Sequence, residues 1–121
     1  MNNAPVPTEI TLHQQSKILE LAFDNGARYK LPFEFLRVFS PSAEVRGHGP
    51  GQEVLQAGKR CVMLTGIEPV GSYAIKLTFD DGHDTGLYTW EYLVELGKYQ
   101  GGMWHDYLTK MEAAGASRDP Q

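Results

Sequence analysis

The histidine at position 83 has the neighbours that a metal ligand would have. Three aspartates, Asp80, Asp81 and Asp84, lie close to it in the sequence, and imidazole together with carboxylates is a donor set that binds iron or zinc. The same residues also suit a tight Asp-Gly turn whose extra acids are simply solvated. His83 is therefore the candidate metal ligand of this sequence, and a plain turn is the alternative.

No catalytic pattern accompanies this histidine. None of the four histidines begins a His-x-Asp/Glu motif, which is the sequential part of an iron site built from two histidines and a carboxylate. The sequence has no Gly-x-Ser-x-Gly nucleophile motif. The single cysteine, Cys61, falls in a predicted strand, where such a residue is usually a small buried apolar side chain. We therefore expect that the chain is not an enzyme.

Basic side chains collect around a long irregular segment, residues 40–60. They are Arg37, Arg46, His48, Lys59 and Arg60, against only Glu44 and Glu53. If this segment folds back on the domain, it forms a locally positive face that could dock a carboxylate-bearing partner or ligand. Scattered surface charge is the alternative interpretation. The net charge of −4 makes the chain as a whole a poor binder of nucleic acids.

The elements that must position these groups begin with a predicted hairpin meander. Alternating apolar residues predict strands around residues 10–12, 19–23 and 29–31, with Asn25-Gly26 as the hairpin turn between the last two. Pro32 suits the first turn of a short helix over residues 33–39. The Gly- and Pro-rich segment 40–60 then predicts a long loop.

The second half of the chain contains the clearest strand. Tyr73, Ile75, Leu77 and Phe79 alternate along it, so they share one face. Neighbouring strands are expected at Cys61–Ile67 and in a short stretch ending at Tyr88.

Two helices are expected after these strands. Thr89 is a suitable N-cap for the first and Gly97 a suitable end, and the second spans residues 103–114. The fold class is therefore α+β: a small antiparallel sheet with helices packed on one side, plus the long loop. A single domain is expected over residues 8–115, with flexible tails at 1–7 and 116–121.

Length, composition and the N-terminal residues indicate the cellular compartment of the protein. The chain of 121 residues is long enough for one domain with a core, and no stretch approaches the roughly 20 apolar residues that span a bilayer. The N-terminus lacks the basic and apolar segments of an export signal, and a single cysteine suits a reducing compartment. We expect a cytoplasmic protein that binds neither membranes nor nucleic acid, while its oligomeric state stays open.

Three blocks of sequence carry a resemblance to a known family. They are Leu31–Arg37, Ser40–His48 and Asp81–Leu93, the last with the pattern Asp-Gly-His-x-x-Gly-x-Tyr-x-Trp-x-x-Leu. The chain resembles the γ-butyrobetaine hydroxylase-like N-terminal domain family (DUF971), in its stand-alone bacterial form. The resemblance extends from about Thr8 to Gly97.

The resemblance implies that His83 occupies the position of a zinc-binding histidine. In the hydroxylase branch this domain holds structural zinc with a Cys-Pro-Cys-x-x-Cys run and a later histidine. The cysteine positions fall at Ser40, Ser42 and Val45 of this chain, and only the histidine is retained, at His83. We therefore expect no cofactor, although a rearranged zinc or iron site using His48, His83 and an aspartate is a further possibility.

The family contexts imply two hypotheses about function. Family members precede an iron/2-oxoglutarate oxygenase domain, are appended to a plant iron–sulfur carrier ATPase, or occur alone. The leading hypothesis is a non-catalytic binding module that acts through a protein partner, and the alternative is an iron-related accessory protein that binds a metal ion or assists iron–sulfur or iron-dependent machinery. The expected interaction surface comprises Arg37, Glu44, Arg46, His48, Asp81 and Trp90, unless an internal Arg37–Glu44 pair braces the loop instead.

Overall fold

The computed structural model describes residues 5–47 and 51–120 and contains two antiparallel sheets of three strands each. The first sheet is formed in the order β1 (Pro7–His13), β2 (Ile18–Phe23) and β3 (Arg28–Pro32). The second is formed in the order β4 (Leu64–Val70), β5 (Ala74–Phe79) and β6 (Leu87–Thr89). The helices are α1 (Phe33–Val38), α2 (Ala43–Arg46) and α3 (Trp90–Ala113). The predicted α+β class is confirmed.

The first sheet follows the apolar alternation of the sequence. Leu19 and Leu21 of β2 are fully buried, and Leu19 lies opposite Leu31 of β3 in the antiparallel register. The turn between these strands uses Gly26 with φ 88°, a backbone conformation that glycine adopts without steric cost. The predicted hairpin turn is therefore confirmed.

The second sheet begins later along the chain than predicted. Ile75, Leu77 and Phe79 are buried on one face, as expected, but β5 starts at Ala74 and leaves Tyr73 exposed in the preceding turn. The expectation that Cys61 lies in a strand is wrong. Cys61 is exposed in a turn that the Val62 N–H closes by donating to the Lys59 carbonyl (3.1 Å).

Helix α3 joins the two helices that the sequence predicts separately. Thr89 is its N-cap, since its hydroxyl accepts from the Tyr92 N–H (3.1 Å), but Gly97 does not end it. The helix continues to Ala113 and carries a kink at Tyr99 (φ −110°, ψ 16°). A Cβ at position 97 would lie 2.3 Å from Tyr29 Cγ of β3, so this glycine permits close packing of the helix on the sheet rather than a turn.

Both sheets and two of the helices share one apolar core. Helix α1 is unusual because all of its residues are buried, including Glu34 and Arg37. The cluster comprises side chains from β2, β3, β4, β5, β6, α1 and α3: Leu19, Leu21, Leu31, Phe33, Leu36, Leu64, Leu77, Tyr88 and Leu93. A second, smaller cluster joins Val38, Tyr107 and Met111. The two charged side chains of α1 must therefore find partners inside the domain.

The described parts of segment 40–60, residues 40–47 and 51–60, form the predicted loop except for the short helix α2. Ser42 caps α2, since its hydroxyl accepts from the Glu44 N–H (3.2 Å). His48 and its two successors lie outside the described residues. Within the described part of the chain, no helix has the length and apolar character needed to cross a membrane.

Replacing Gly97 by alanine tests the packing of α3 on the first sheet. Gly97→Ala should lower the free energy of unfolding by about 1–3 kcal/mol, because the new Cβ overlaps the Tyr29 ring. Gly101→Ala is the matched control: a Cβ there meets nothing within 4 Å, and alanine favours a helix by up to about 1 kcal/mol over glycine. Urea unfolding of both variants gives the comparison. Equal effects at the two positions would contradict this account.

Candidate functional site

An ion pair between a buried arginine and a partly exposed aspartate joins α1 to the turn after β5. Arg37 Nε donates to Asp81 Oδ2 (2.8 Å), and Lys59 Nζ donates to the same oxygen (2.6 Å). The Arg37 side chain is 8% exposed, so it needs a compensating charge. Its NH1 group donates to Gln56 Oε1 (3.0 Å). Arg37 and Asp81, two predicted surface residues, are thus brought together as an internal brace.

The alternative in which Arg37 braces the loop internally holds in the described residues with Asp81, and not Glu44, as the carboxylate partner. Arg37 lies on Asp81 instead, while the Glu44 carboxylate accepts from the Thr85 hydroxyl (2.8 Å). Glu44 is closer to Arg37 in the sequence than Asp81 is. The tertiary fold nevertheless places Asp81 against Arg37. Glu44 itself remains exposed on α2.

The surroundings of Asp81 stabilise its charged form. Burial by itself would raise the pKa of Asp81, but hydrogen bonds from Lys59, the His83 N–H and Arg37 outweigh it and lower the pKa to about 2. The carboxylate therefore stays ionised throughout the physiological pH range. It connects three segments of the chain: α1, the loop before β4 and the turn after β5.

A second contact, between Ser40 and His83, lies beside this ion pair. Ser40 Oγ and His83 Nε2 are 2.8 Å apart, and the residues are only 1% and 6% exposed. Ser40 Oγ also accepts from the Ser42 N–H (3.2 Å). Burial and the positive charge of Arg37 lower the pKa of His83, so the ring is neutral at pH 7. A Cβ at Gly86 would lie 2.5 Å from Ser40 Oγ, which shows how closely the chain packs here.

The donor set at this contact does not fit a zinc or iron ion. The hydroxyls of Ser40 and Ser42 are hydrogen-bonded to His83 and Thr85, and Val45 offers no donor atom. The described residues contain no group of three His, Cys, Asp or Glu side chains placed to hold a metal ion. The alternative set that included His48 falls outside the described residues and stays a prediction.

The Ser40–His83 pair also lacks the features of a nucleophile with its base. Ser40 is 1% exposed, which closes it to a substrate. Asp81 Oδ1 accepts the backbone N–H of His83 (3.1 Å) and does not orient the ring. A nucleophile needs access and a base that a third group orients, and this pair has neither.

An open cleft of about 800 Å³ lies between α2, residues 51–57 and α3. Its walls are mainly apolar and include Val38, Val45, Val54, Leu55, Met103 and Tyr107. Four charged side chains also line it: Arg46, Glu53, Asp106 and Lys110. Among the described residues, none of these four forms an ion pair. The cleft therefore combines an apolar lining with four charged side chains that form no ion pair within residues 5–47 and 51–120.

The other predicted surface residues do not lie together in the structure. Arg46 lines the cleft, with its guanidinium carbon 4.8 Å from the centre of the Tyr92 ring. Trp90 lies at the start of α3 and its indole donates to the Ser72 carbonyl (2.8 Å). His48 falls outside the described residues. Of the five described members of the predicted set, Arg46 alone lines the cleft.

Carboxylates of the domain itself neutralise part of the predicted positive face. Arg37 and Lys59 share Asp81, and Arg60 Nε donates to Asp119 Oδ1 (2.5 Å). Arg46 is the one arginine or lysine of the predicted face without a carboxylate partner among residues 5–47 and 51–120. Fewer positively charged side chains are therefore available to a ligand than the sequence suggests.

Sequence reasoning missed the residues that build the cleft. Val54 and Leu55 are adjacent apolar residues in an otherwise polar loop and are 52% and 37% exposed, a local signal that could have marked them. Tyr107 and Lys110 carry no such signal. They lie in the second predicted helix, but only the tertiary fold places them beside α2 and the loop.

Comparisons with known proteins give a consistent picture. A family model described as gamma-butyrobetaine hydroxylase-like, N-terminal, matches residues 10–94. One NMR solution structure is 54% identical over 98% of this chain and 94% of its own, with a TM-score of 0.84. A second is 49% identical over 99% of this chain and 89% of its own, with a TM-score of 0.85.

A crystal structure is more distant. It is that of a protein with unknown function of the DUF971 family from Acidithiobacillus ferrooxidans, 38% identical over 75% of this chain and 91% of its own, with a TM-score of 0.64. A comparison with curated proteins finds no match.

Acid titration tests the ion pair of Asp81. Because the folded protein holds the pKa of Asp81 at about 2, below its ordinary value of 3.8, the pair stabilises the fold above pH 4 and this contribution disappears as the pH falls towards 2. Asp81→Asn should cost about 1–2 kcal/mol at pH 6, allowing for partial solvent screening, and much less near pH 2. Asp84→Asn, in the same turn, is the matched control. A cost that does not change with pH would contradict the role of the charge.

Proposed function

Because the chain belongs to the gamma-butyrobetaine hydroxylase-like N-terminal family, we propose that it is a non-catalytic cytosolic module that binds a protein partner. The partner segment occupies the cleft between α2, residues 51–57 and α3. No part of the 121 residues is an oxygenase domain, so the hydroxylation chemistry of the family name does not apply to them.

The exposed apolar wall of the cleft is the observation that carries this proposal. Val54 is 52% exposed and Leu55 is 37% exposed, and both face a cleft whose volume of about 800 Å³ lies in the range of ligand-binding sites. Tyr92 and Tyr107 add aromatic surface to the same cleft. Tyrosine and arginine side chains in well-packed pockets supply much of the binding energy of protein interfaces.

The charges of the cleft define the chemistry of the partner segment. Arg46 and Lys110 favour a carboxylate beside the apolar side chains that fill the cleft. Glu53 and Asp106 line the same cleft and repel a strongly acidic segment, which gives specificity against polyanions. The partner is therefore an apolar peptide segment with a single acidic residue rather than a nucleic acid.

The iron-related accessory role stays a prediction. The residues around His83 give direct metal binding no support, because hydrogen bonds already engage Ser40, Ser42 and His83. A partner that is itself an iron-dependent protein is compatible with the proposed cleft.

Site-specific photo-crosslinking in living cells tests the proposal. A photoreactive p-benzoylphenylalanine at Val54 should form a discrete adduct, because Val54 lines the cleft, whereas the same residue at Tyr73 should form none. Tyr73 is a matched control, since it is 54% exposed but lies in the turn between β4 and β5. Mass spectrometry of the adduct should identify a segment that combines apolar side chains with an Asp or Glu.

A charge reversal completes this experiment. Arg46→Glu in the Val54 crosslinking variant should reduce the adduct by roughly fivefold, because it removes the cation that meets the carboxylate of the partner. Circular dichroism and thermal unfolding confirm that the variant remains folded. Equal adducts at positions 54 and 73, or no adduct at position 54, would overturn the proposal.

A further inference from the structure

The segment Ala116–Pro120, here called the latch, is bound to the loop that forms one wall of the cleft. The Gly58 N–H donates to the Ser117 carbonyl and the Arg60 N–H donates to the Arg118 carbonyl, both at 2.9 Å. Arg60 Nε also donates to Asp119 Oδ1 (2.5 Å). The latch therefore pairs with residues 58–60 through both backbone and side chains, directly after the wall, residues 51–57.

An ion pair anchors the latch to the buried helix α1. Arg118 Nε and NH2 donate to the two carboxylate oxygens of Glu34, each at 2.7 Å, and the Glu34 side chain is 9% exposed. The Arg118 guanidinium carbon also lies 5.1 Å from the centre of the Trp104 ring. Because Glu34 is buried, loss of Arg118 would leave a carboxylate without a compensating charge inside the domain.

The latch also contacts apolar side chains that line the cleft, Val38 and Tyr107, here called the floor. Ala116 packs against the cluster of Val38, Tyr107 and Met111, and two of these residues, Val38 and Tyr107, line the cleft. The Tyr107 hydroxyl donates to the Gln56 carbonyl (2.6 Å), which belongs to the wall. The latch, the floor and the wall thus form one continuous set of contacts.

The wall has few attachments of its own. Its direct bonds to the rest of the domain, among the described residues, are the Val54 N–H to the Val45 carbonyl (2.8 Å) and the two bonds of Gln56 to Arg37 and Tyr107. We infer that the latch positions the wall, with Arg118 as the positioning residue and Glu34 as its anchor. The latch positions the wall in the free protein, and this does not depend on which segment occupies the cleft.

Amide hydrogen exchange followed by NMR tests this inference. In Arg118→Gln the exchange rate of the Val54 amide should rise about tenfold, because the wall opens more often when the latch is released. The Val54 amide is the decisive reporter, since its acceptor, the Val45 carbonyl, is not part of the latch. The amides of Leu21 and Leu77 in the central strands should keep their rates, which would show that the domain as a whole stays folded.

Two further variants separate the latch from other effects. Arg28→Gln removes an exposed arginine that pairs with Glu9 and Glu20 on the first sheet and should leave the Val54 rate unchanged. The double variant Glu34→Gln/Arg118→Gln removes the buried unpaired charge, so it should retain the fold and still accelerate Val54 exchange. Faster exchange at Gly58 and Arg60 with no change at Val54 would overturn the inference. Equal acceleration of Val54, Leu21 and Leu77 in the double variant would overturn it as well.

Discussion

The ion pair between Arg37 and Asp81 is the constraint on which the rest of the structure depends. Helix α1 is buried on all sides, and a guanidinium in that position is tolerable only with a carboxylate against it. Asp81 meets this need and also binds Lys59 and the His83 N–H. One carboxylate therefore fixes the end of α1, the turn after β5 and the loop that continues into the wall of the cleft.

This arrangement explains why hydrogen bonds occupy Ser40, Ser42 and His83, the positions at which the sequence resemblance implied metal ligands. Once Asp81 holds the turn against α1, Ser40 and His83 lie 2.8 Å apart in a buried place, and their hydrogen bond satisfies two polar groups that would otherwise be costly. The neutral imidazole suits such surroundings, since burial and Arg37 lower the pKa of His83. Ser40 borders the cleft but is only 1% exposed, so a partner in the cleft would meet the side chains around it.

Much of the fold could be predicted from local patterns, and most of the site could not. The alternation of Leu19 and Leu21, and the capping oxygen of Thr89, are signals carried by neighbouring residues, and they located strands and a helix start correctly. Gly97 was misread because its role, contact with Tyr29, depends on a distant strand. The partner of Arg37 lies 44 residues away, and no spacing rule distinguishes it from nearer carboxylates.

The central claim is that ion pairs and hydrogen bonds of the chain itself, and not a bound metal ion, hold the segments around Asp81 and His83 together. Elemental analysis of untagged protein, purified anaerobically without chelators, tests it most directly. The account predicts zinc and iron well below one equivalent and an unfolding curve that a chelator does not shift. Near-stoichiometric zinc or iron that is lost in His83→Ala would contradict it and would favour an iron-related role.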